Sequence, residues 1–235
     1  MNVLSITGVQ KKFGARVALD RLDLTLRAGE VLALLGPNGA GKTTTINLIL
    51  GFLKADVGRV AVCDIDAALD PLGARQHIAY IPEQVALYPT MSGLDNLRYF
   101  TTLAGLALDD ARLSGLLSDA GLPEEAQRRH AQSYSKGMRQ KVGIAIAMAR
   151  AVKLLLLDEP TSGLDPSASA EFSRILRATA ARGTAVLMAT HDLYRIKELA
   201  DRVGVLHGGR IVEDIDPAAL DHVALEQLYM ERLSA

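Results

Sequence analysis

Leu22, Leu24 and Leu26 alternate with Asp23, Thr25 and Arg27, and this two-residue period predicts a strand with one buried face. Upstream, Val3, Ser5, Thr7 and Val9 interleave with Leu4, Ile6 and Gly8 in the same manner, and Ala28-Gly29 reads as a turn. Val31–Leu35, Leu154–Leu157 and Ala185–Ala189 are apolar throughout, as strands inside a parallel sheet are. Val60–Val62 and Ile78–Ile81 read as further short strands. From Leu87 to Arg150 the pattern becomes mainly helical. Ser92 is placed to cap a helix carrying Leu94, Leu97, Tyr99 and Leu103, and Gly121-Leu122-Pro123 breaks the next one. Pro166–Ala181 and Leu193–Ala200 read as helices. Val203–Leu206 and Arg210–Glu213 flank His207-Gly208-Gly209, a hairpin signal, and a helical tail carries Leu220, Leu225, Leu228 and Leu233.

Strands alternating with helices on both sides of a helical block imply an α/β fold, a parallel-sheet core with a helical insertion. One domain spans 1–235, with lobes of 1–84 plus 151–216, a helical lobe of 85–150 and a short helical tail of 217–235. The composition agrees: 49% apolar residues over 235 positions can supply one large core. A formal net charge of −1 gives no global field for nucleic acid. The single cysteine, Cys63, excludes an internal disulfide framework and reads as a buried small residue near a strand end. No apolar run approaches the roughly 18 residues of a membrane span, and no signal-peptide core is evident. The expectation is a soluble, cytosolic protein that meets a membrane only through a partner.

Gly36-Pro37-Asn38-Gly39-Ala40-Gly41-Lys42-Thr43-Thr44 fits the phosphate-loop pattern G-x-x-x-x-G-K-[ST]. It follows the apolar run Val31–Leu35 and opens a helical pattern through Ile46, Ile49 and Leu50, the strand–loop–helix setting such a loop needs. Glycines let successive N–H groups converge on an anion, and the helix N-terminus behind them adds partial positive charge. Lys42 can reach the β- and γ-phosphates of a nucleoside triphosphate, and the Thr43 hydroxyl can ligate Mg²⁺.

A second cluster closes the run Leu154–Leu157 with Asp158 and Glu159. Ligands of α/β sheets gather at the carboxyl ends of strands. An Asp there can hold Mg²⁺, and an adjacent Glu can orient or deprotonate a water. The bland alternative is a strand that ends in a solvated acidic turn. His191 follows the strand Ala185–Ala189 and Thr190; it can stabilise charge developing on a γ-phosphate, or be a hydrogen-bonded strand-end side chain.

Together with Tyr134-Ser135-Lys136-Gly137-Met138, these residues resemble the ATP-binding cassette ATPases, the nucleotide-binding subunits of ABC transporters, over nearly the whole chain. The resemblance implies a P-loop NTPase (RecA-like) parallel-sheet core with an N-terminal antiparallel β subdomain and a helical insertion. It makes ATP and Mg²⁺ the cofactors. Phe13 matches the aromatic that stacks on adenine, Gly36–Thr44 the Walker A loop, and Leu154–Asp158 Walker B with Glu159 as catalytic base. Ser162–Asp165 matches the D-loop, with Asp165 toward the nucleotide, and His191 the switch histidine. Ser135 and Gly137 match the signature positions that carry the γ-phosphate contact, while Tyr134, Lys136 and Met138 depart from Leu-Ser-Gly-Gly-Gln. The variant looks exporter-like. Lys136 can add a positive charge near phosphate or be solvated, and solvation is the expectation. Counted back from Ala86-Leu87-Tyr88-Pro89, the family's Q-loop glutamine falls at Glu83 rather than Gln84; either residue can be the sensor, and Glu83 is the expected one and the expected metal ligand beside Thr43 and Asp158.

The same resemblance implies a shared active site, with ATP on the Walker A loop of one subunit covered by Ser135 and Gly137 of another, in an ATP-dependent homodimer or heterodimer. The expected function is an ATP-hydrolysing subunit that powers transport, most simply export, through a separate transmembrane permease at the inner face of the cell membrane. Docking is expected around Leu87–Phe100, with Tyr88, Leu97, Tyr99 and Phe100 as contacts. The alternative is a soluble ATPase of the same fold acting on DNA, ribosomes or cofactor assembly. The absence of a basic aromatic face and of a second cassette counts against it.

Overall fold

The computed structural model describes residues 2–234, apart from the side chains at positions 194, 195, 233 and 234. Chain order runs β1 (Asn2–Phe13), β2 (Arg16–Arg27), β3 (Val31–Leu35), α1 (Lys42–Ile49), β4 (Val57–Val62), β5 (Ile65–Asp66), α2 (Pro71–Gln76) and β6 (Ile78–Ile81). The helices α3 (Gly93–Leu103), α4 (Asp110–Asp119), α5 (Glu124–Gln127) and α6 (Lys136–Ala149) come next. Then follow β7 (Leu154–Asp158), α7 (Pro166–Ala181), β8 (Ala185–Thr190), α8 (Leu193–Leu199), β9 (Arg202–His207), β10 (Arg210–Ile215) and α9 (His222–Ser234).

Two sheets form. A six-stranded sheet has the order β10-β9-β3-β8-β7-β6, parallel except for the β9–β10 hairpin, and a four-stranded antiparallel sheet has the order β2-β1-β4-β5. The apolar runs sort onto two faces. In β3, Val31, Ala33 and Leu35 pack into the core shared with the helical lobe, while Leu32 and Leu34 face the core shared with the antiparallel sheet. β7 does the same with Leu155 and Leu157 against Leu154 and Leu156. Burial on both faces removes any need for alternation, which is why these segments read as unbroken apolar stretches.

Strand register sets the site. Leu35 pairs with Thr190, Asp158 with Ala189 and Ile81 with Leu157. The loops after β3, β7, β8 and β6 therefore leave the same sheet edge side by side, although their residues are more than 100 positions apart in places.

Several expectations shift. β4 is twice as long as Val60–Val62 alone, because its first half pairs with the far end of β1, and β5 and α2 were not anticipated. Cys63 is not buried. It is half-exposed in the β4–β5 turn with φ 50°, and partial burial raises its thiol pKa. Ser92 caps α3 by accepting the Asp95 N–H at 3.0 Å, and Leu94 and Leu97 are buried, but Tyr99 and Leu103 lie on the exposed face. Leu97, expected at a docking surface, is 0% exposed and belongs to the core. Leu220 precedes α9 rather than lying in it; Leu225 is buried, and the Leu233 side chain falls outside the described residues.

Asn96 was missed by the pattern because it is a polar residue on the buried face of α3. Its Oδ1 accepts the Tyr88 N–H at 2.8 Å, and its Nδ2 donates to the carbonyls of Tyr88, Met91 and Ser92 at 3.1, 3.3 and 2.9 Å. One side chain thus closes the segment that leads from β6 into the helical lobe. Asn96→Ala is expected to cost about 2–3 kcal/mol, because the Tyr88 N–H loses its acceptor and the carbonyls of Tyr88, Met91 and Ser92 each lose one of two donors on a buried face. Denaturant unfolding measures it; a loss well under 1 kcal/mol would mean the segment is held by other means.

Candidate nucleotide site

Α1 begins at the sheet edge directly after a loop whose conformation only glycine allows. Gly41 has φ 118°, and a Cβ there would lie 2.8 Å from the Ala18 carbonyl oxygen. A Cβ on Gly36 would meet the Leu206 carbonyl oxygen at 2.4 Å. No side chain caps α1, and its first turn carries no acidic residue, so its first N–H groups are open to an anion. They open into a cavity of about 430 Å³ lined by Pro37, Asn38, Gly39, Gly41, Lys42, Thr43 and Thr44 of the loop. Phe13, Arg16, Glu83, Asp158 and Glu159 also line it.

Lys42 is 7% exposed. Its ammonium donates to the carbonyls of Gly36 and Pro37, the latter at 3.3 Å, and lies 3.7 Å from a Glu159 carboxylate oxygen. Glu159 is the hub. Its Oε1 lies 2.8 Å from His191 Nδ1, and its Oε2 accepts from the Thr190 hydroxyl at 3.1 Å and the His191 N–H at 3.4 Å. The Glu159 backbone has φ 45°, unusual for a residue with a Cβ, and its N–H donates to the Ala189 carbonyl at 2.9 Å. Backbone strain of this kind costs on the order of 1 kcal/mol and persists where surrounding contacts over-determine it.

Asp158 ends β7 beside this hub. Burial raises its carboxyl pKa, and the neighbouring Glu159 charge raises it further. The Tyr80 hydroxyl donates to Asp158 Oδ2 at 3.4 Å, and burial together with that carboxylate pushes the phenol pKa up to about 12. A carboxylate held in a half-buried, negatively charged corner is relieved by a cation. Thr43, Asp158 and Glu83 supply oxygen donors to one cavity, the donor type Mg²⁺ prefers. Among the described residues no group of three or more His, Cys, Asp or Glu could hold a metal by itself. The donor set therefore fits an ion that is completed by phosphate oxygens and water.

Not every expected residue meets at this cavity. Phe13, 48% exposed at the end of β1, stands in its wall with Lys11 Nζ 5.6 Å from the ring centre. Ala40 is buried under the loop. Glu83 lines the cavity and the exposed Gln84 does not. Ser135 is exposed at the start of α6, where its hydroxyl accepts the Met138 N–H at 3.3 Å. Gly137 is buried against Leu164, and the Asp165 carboxylate caps α7 by accepting the Ala168 N–H at 2.9 Å. None of these three lines the cavity of its own chain. Lys136, expected to be solvated, is instead 3.4 Å from Glu83, because the first turn of α6 passes beside the loop after β6.

Two residues, one behind Asp158 and one in the wall, escaped the sequence pattern. Tyr80 sits mid-strand and is brought to Asp158 only by the β6–β7 pairing. Arg16 opens β2, and its Nη2 lies 3.2 Å from where a Cβ on Gly39 would be. A second cation beside the phosphate loop suits a polyanion, and Arg16→Ala is expected to weaken ATP binding about threefold to tenfold in an equilibrium titration. Undiminished affinity would remove Arg16 from the site.

Residues 19–162 match the family model described as ABC transporter. The chain belongs to this family. A daunorubicin resistance ATP-binding protein of Streptomyces coeruleorubidus is 37% identical over 217 residues, 92% of this chain and 67% of that protein. A solved ATP-binding subunit of an ABC transporter superposes with a TM-score of 0.85 at 31% identity, covering 99% of this chain and all of the other. A dimeric post-hydrolysis ABC cassette bound to ADP and Pi matches 92% of this chain at 25% identity, with a TM-score of 0.79. The ABC cassette described here is accordingly an ATP-binding subunit with ATP hydrolysis as its reaction. Among its described residues no helix is long and apolar enough to cross a membrane.

Proposed function

We propose that this ABC cassette powers export through a separate transmembrane permease, docked at the inner face of the cell membrane. The observation that carries the motor reading is the Glu159 hub, in which Thr190, His191 and Lys42 converge on one carboxylate at the wall of the phosphate cavity. Export is supported by the relative named for daunorubicin resistance, since resistance is what outward transport provides.

In this reading Phe13 stacks on adenine, and the open N–H groups of the loop and of α1 bind the phosphates. Lys42 offsets the β- and γ-phosphate charge. Glu159 takes the proton of the attacking water, and His191 holds that carboxylate in position. Thr43, Asp158 and Glu83 would hold Mg²⁺, which when bound would supply Lewis-acid withdrawal of electron density from the phosphates. Ser135, Gly137 and Asp165, which stand off their own cavity, serve the nucleotide of a second cassette in a head-to-tail dimer, and the two copies are alike or homologous. The exposed hydroxyl cap of α6 suits this role, because a helix N-terminus adds donors where one loop cannot surround a γ-phosphate.

The permease meets the exposed aromatic group that follows Glu83. Tyr88 and Tyr99 pack edge to face with centroids 4.8 Å apart and hydroxyls 3.1 Å apart, and Phe100 lies beside them. The decisive experiment is size-exclusion chromatography of a hydrolysis-blocked cassette, Glu159→Gln, with and without ATP. Dimer that forms only with ATP supports the reading, and a monomer at saturating ATP overturns the shared site.

A further inference from the structure

Glu83 adds a third carboxylate to the wall of a cavity that already contains Asp158 and Glu159 and that takes a polyanion. Its charge adds to those raising the pKa of Asp158. Lys42 is committed to the loop carbonyls and to Glu159. The cation that meets Glu83 is Lys136, whose Nζ lies 3.4 Å from Glu83 Oε1. The same oxygen accepts the Ser162 hydroxyl at 3.2 Å. One turn further along α6, the Gln140 amide donates to the Pro160 carbonyl. The start of α6 is thus tied to both loops that leave the sheet edge after β6 and β7. The lysine side chain is 27% exposed and the glutamate 49%, so the pair is close to water but not free in it.

We propose that Lys136 is a positioning residue that acts through Glu83. It supplies the counter-charge that makes a carboxylate at position 83 compatible with a bound triphosphate, and with the Ser162 hydroxyl it holds that carboxylate in the cavity wall beside the D-loop. The two positions depart together from the residues of the ABC signature and Q-loop, and their contact gives both departures one physical reason. A carboxylate without its ammonium partner would repel the γ-phosphate across a few ångströms of partly shielded space. The proposal rests on nucleotide binding in the cavity described above.

The test is a double-mutant cycle on ATP affinity, read by equilibrium titration of the full chain in excess EDTA so that no metal bridges Glu83 to the phosphates. Lys136→Ala is expected to weaken ATP binding about threefold to tenfold, and Lys136→Arg to stay within about twofold of the parent. Glu83→Gln is expected to bind ATP at least as tightly as the parent. In that background, Lys136→Ala should change affinity by less than about twofold. An equal loss in both backgrounds would mean that Lys136 touches phosphate directly and would overturn the proposal. So would an unchanged affinity of Lys136→Ala in the parent chain. If the parent chain binds no ATP either in EDTA or with Mg²⁺, the nucleotide site falls, and the proposal with it; binding only with Mg²⁺ overturns the proposal alone, because the metal and not Lys136 then offsets Glu83. Thermal melting of each variant confirms that it is folded.

Discussion

Glu159→Gln is expected to slow ATP turnover about a hundredfold to ten-thousandfold while ATP remains bound, the range that loss of a positioned general base produces. The amide has nearly the shape of the carboxylate. Its oxygen can still accept from the Thr190 hydroxyl, which now donates to Glu159 at 3.1 Å. The backbone at φ 45° is unchanged by the exchange, since its N–H bond to the Ala189 carbonyl does not involve the side chain. What disappears is the ability to take a proton from water. A negative charge also leaves the cavity, which lessens repulsion toward a γ-phosphate and toward Asp158. ATP affinity should therefore hold or rise, and ATP-bound dimer should accumulate. Phosphate release at saturating ATP, alongside a binding titration, checks both parts. Turnover at the parent rate would remove Glu159 from the base role, and loss of binding would show that its place is structural.

Lys42→Ala should act on binding as well as on turnover. The ammonium is 7% exposed and is held by two loop carbonyls and the Glu159 carboxylate. Without it, Asp158, Glu159 and Glu83 face an incoming triphosphate with one cation fewer, and the Gly36 carbonyl loses its donor while that of Pro37 keeps the Ala40 N–H. ATP affinity is expected to fall at least about tenfold, and turnover about a hundredfold to a thousandfold, as for removal of a preorganised donor at developing charge. The fold should survive, because α1 and β3 keep their buried residues Ile46, Ile49 and Leu32 to Leu35. Unchanged turnover would overturn the phosphate-loop role; lost turnover in an unfolded variant would not support it, so melting must accompany the assay.

The two outcomes differ in kind. Glu159→Gln separates binding from hydrolysis, whereas Lys42→Ala joins them. A cassette that behaved identically in both variants would have its chemistry placed elsewhere.

Much of this site was legible along the chain because its parts are local. The glycines of residues 36–41 are dictated by backbone conformation, and the steric clashes a Cβ would make at Gly36 and Gly41 show why. Apolar runs such as Val31–Leu35 and Leu154–Leu157 betrayed strands covered on both faces. Ser92 announced a helix start by its capping chemistry and proved to be a cap. The pattern failed where a polar residue faces inward for a tertiary reason, as Asn96 does, or where an apolar residue on a helix faces out, as Leu103 does. It also failed for β5 and α2, which are too short to show a period.

Amino-acid order by itself determined most of the secondary elements and marked Gly36–Thr44, Asp158, Glu159 and His191 as candidates for one site, since each signal depends on neighbours a few residues away. Only tertiary structure decided which of these groups touch. The pairing of Leu35 with Thr190, of Asp158 with Ala189 and of Ile81 with Leu157 brings His191 and Lys42 to Glu159 and Tyr80 to Asp158, and the passage of α6 beside the loop after β6 brings Lys136 to Glu83. The reason is geometric: propensity and period specify an element's shape and its buried face, while the distance between two loops is set by strand register and packing between segments far apart in the chain.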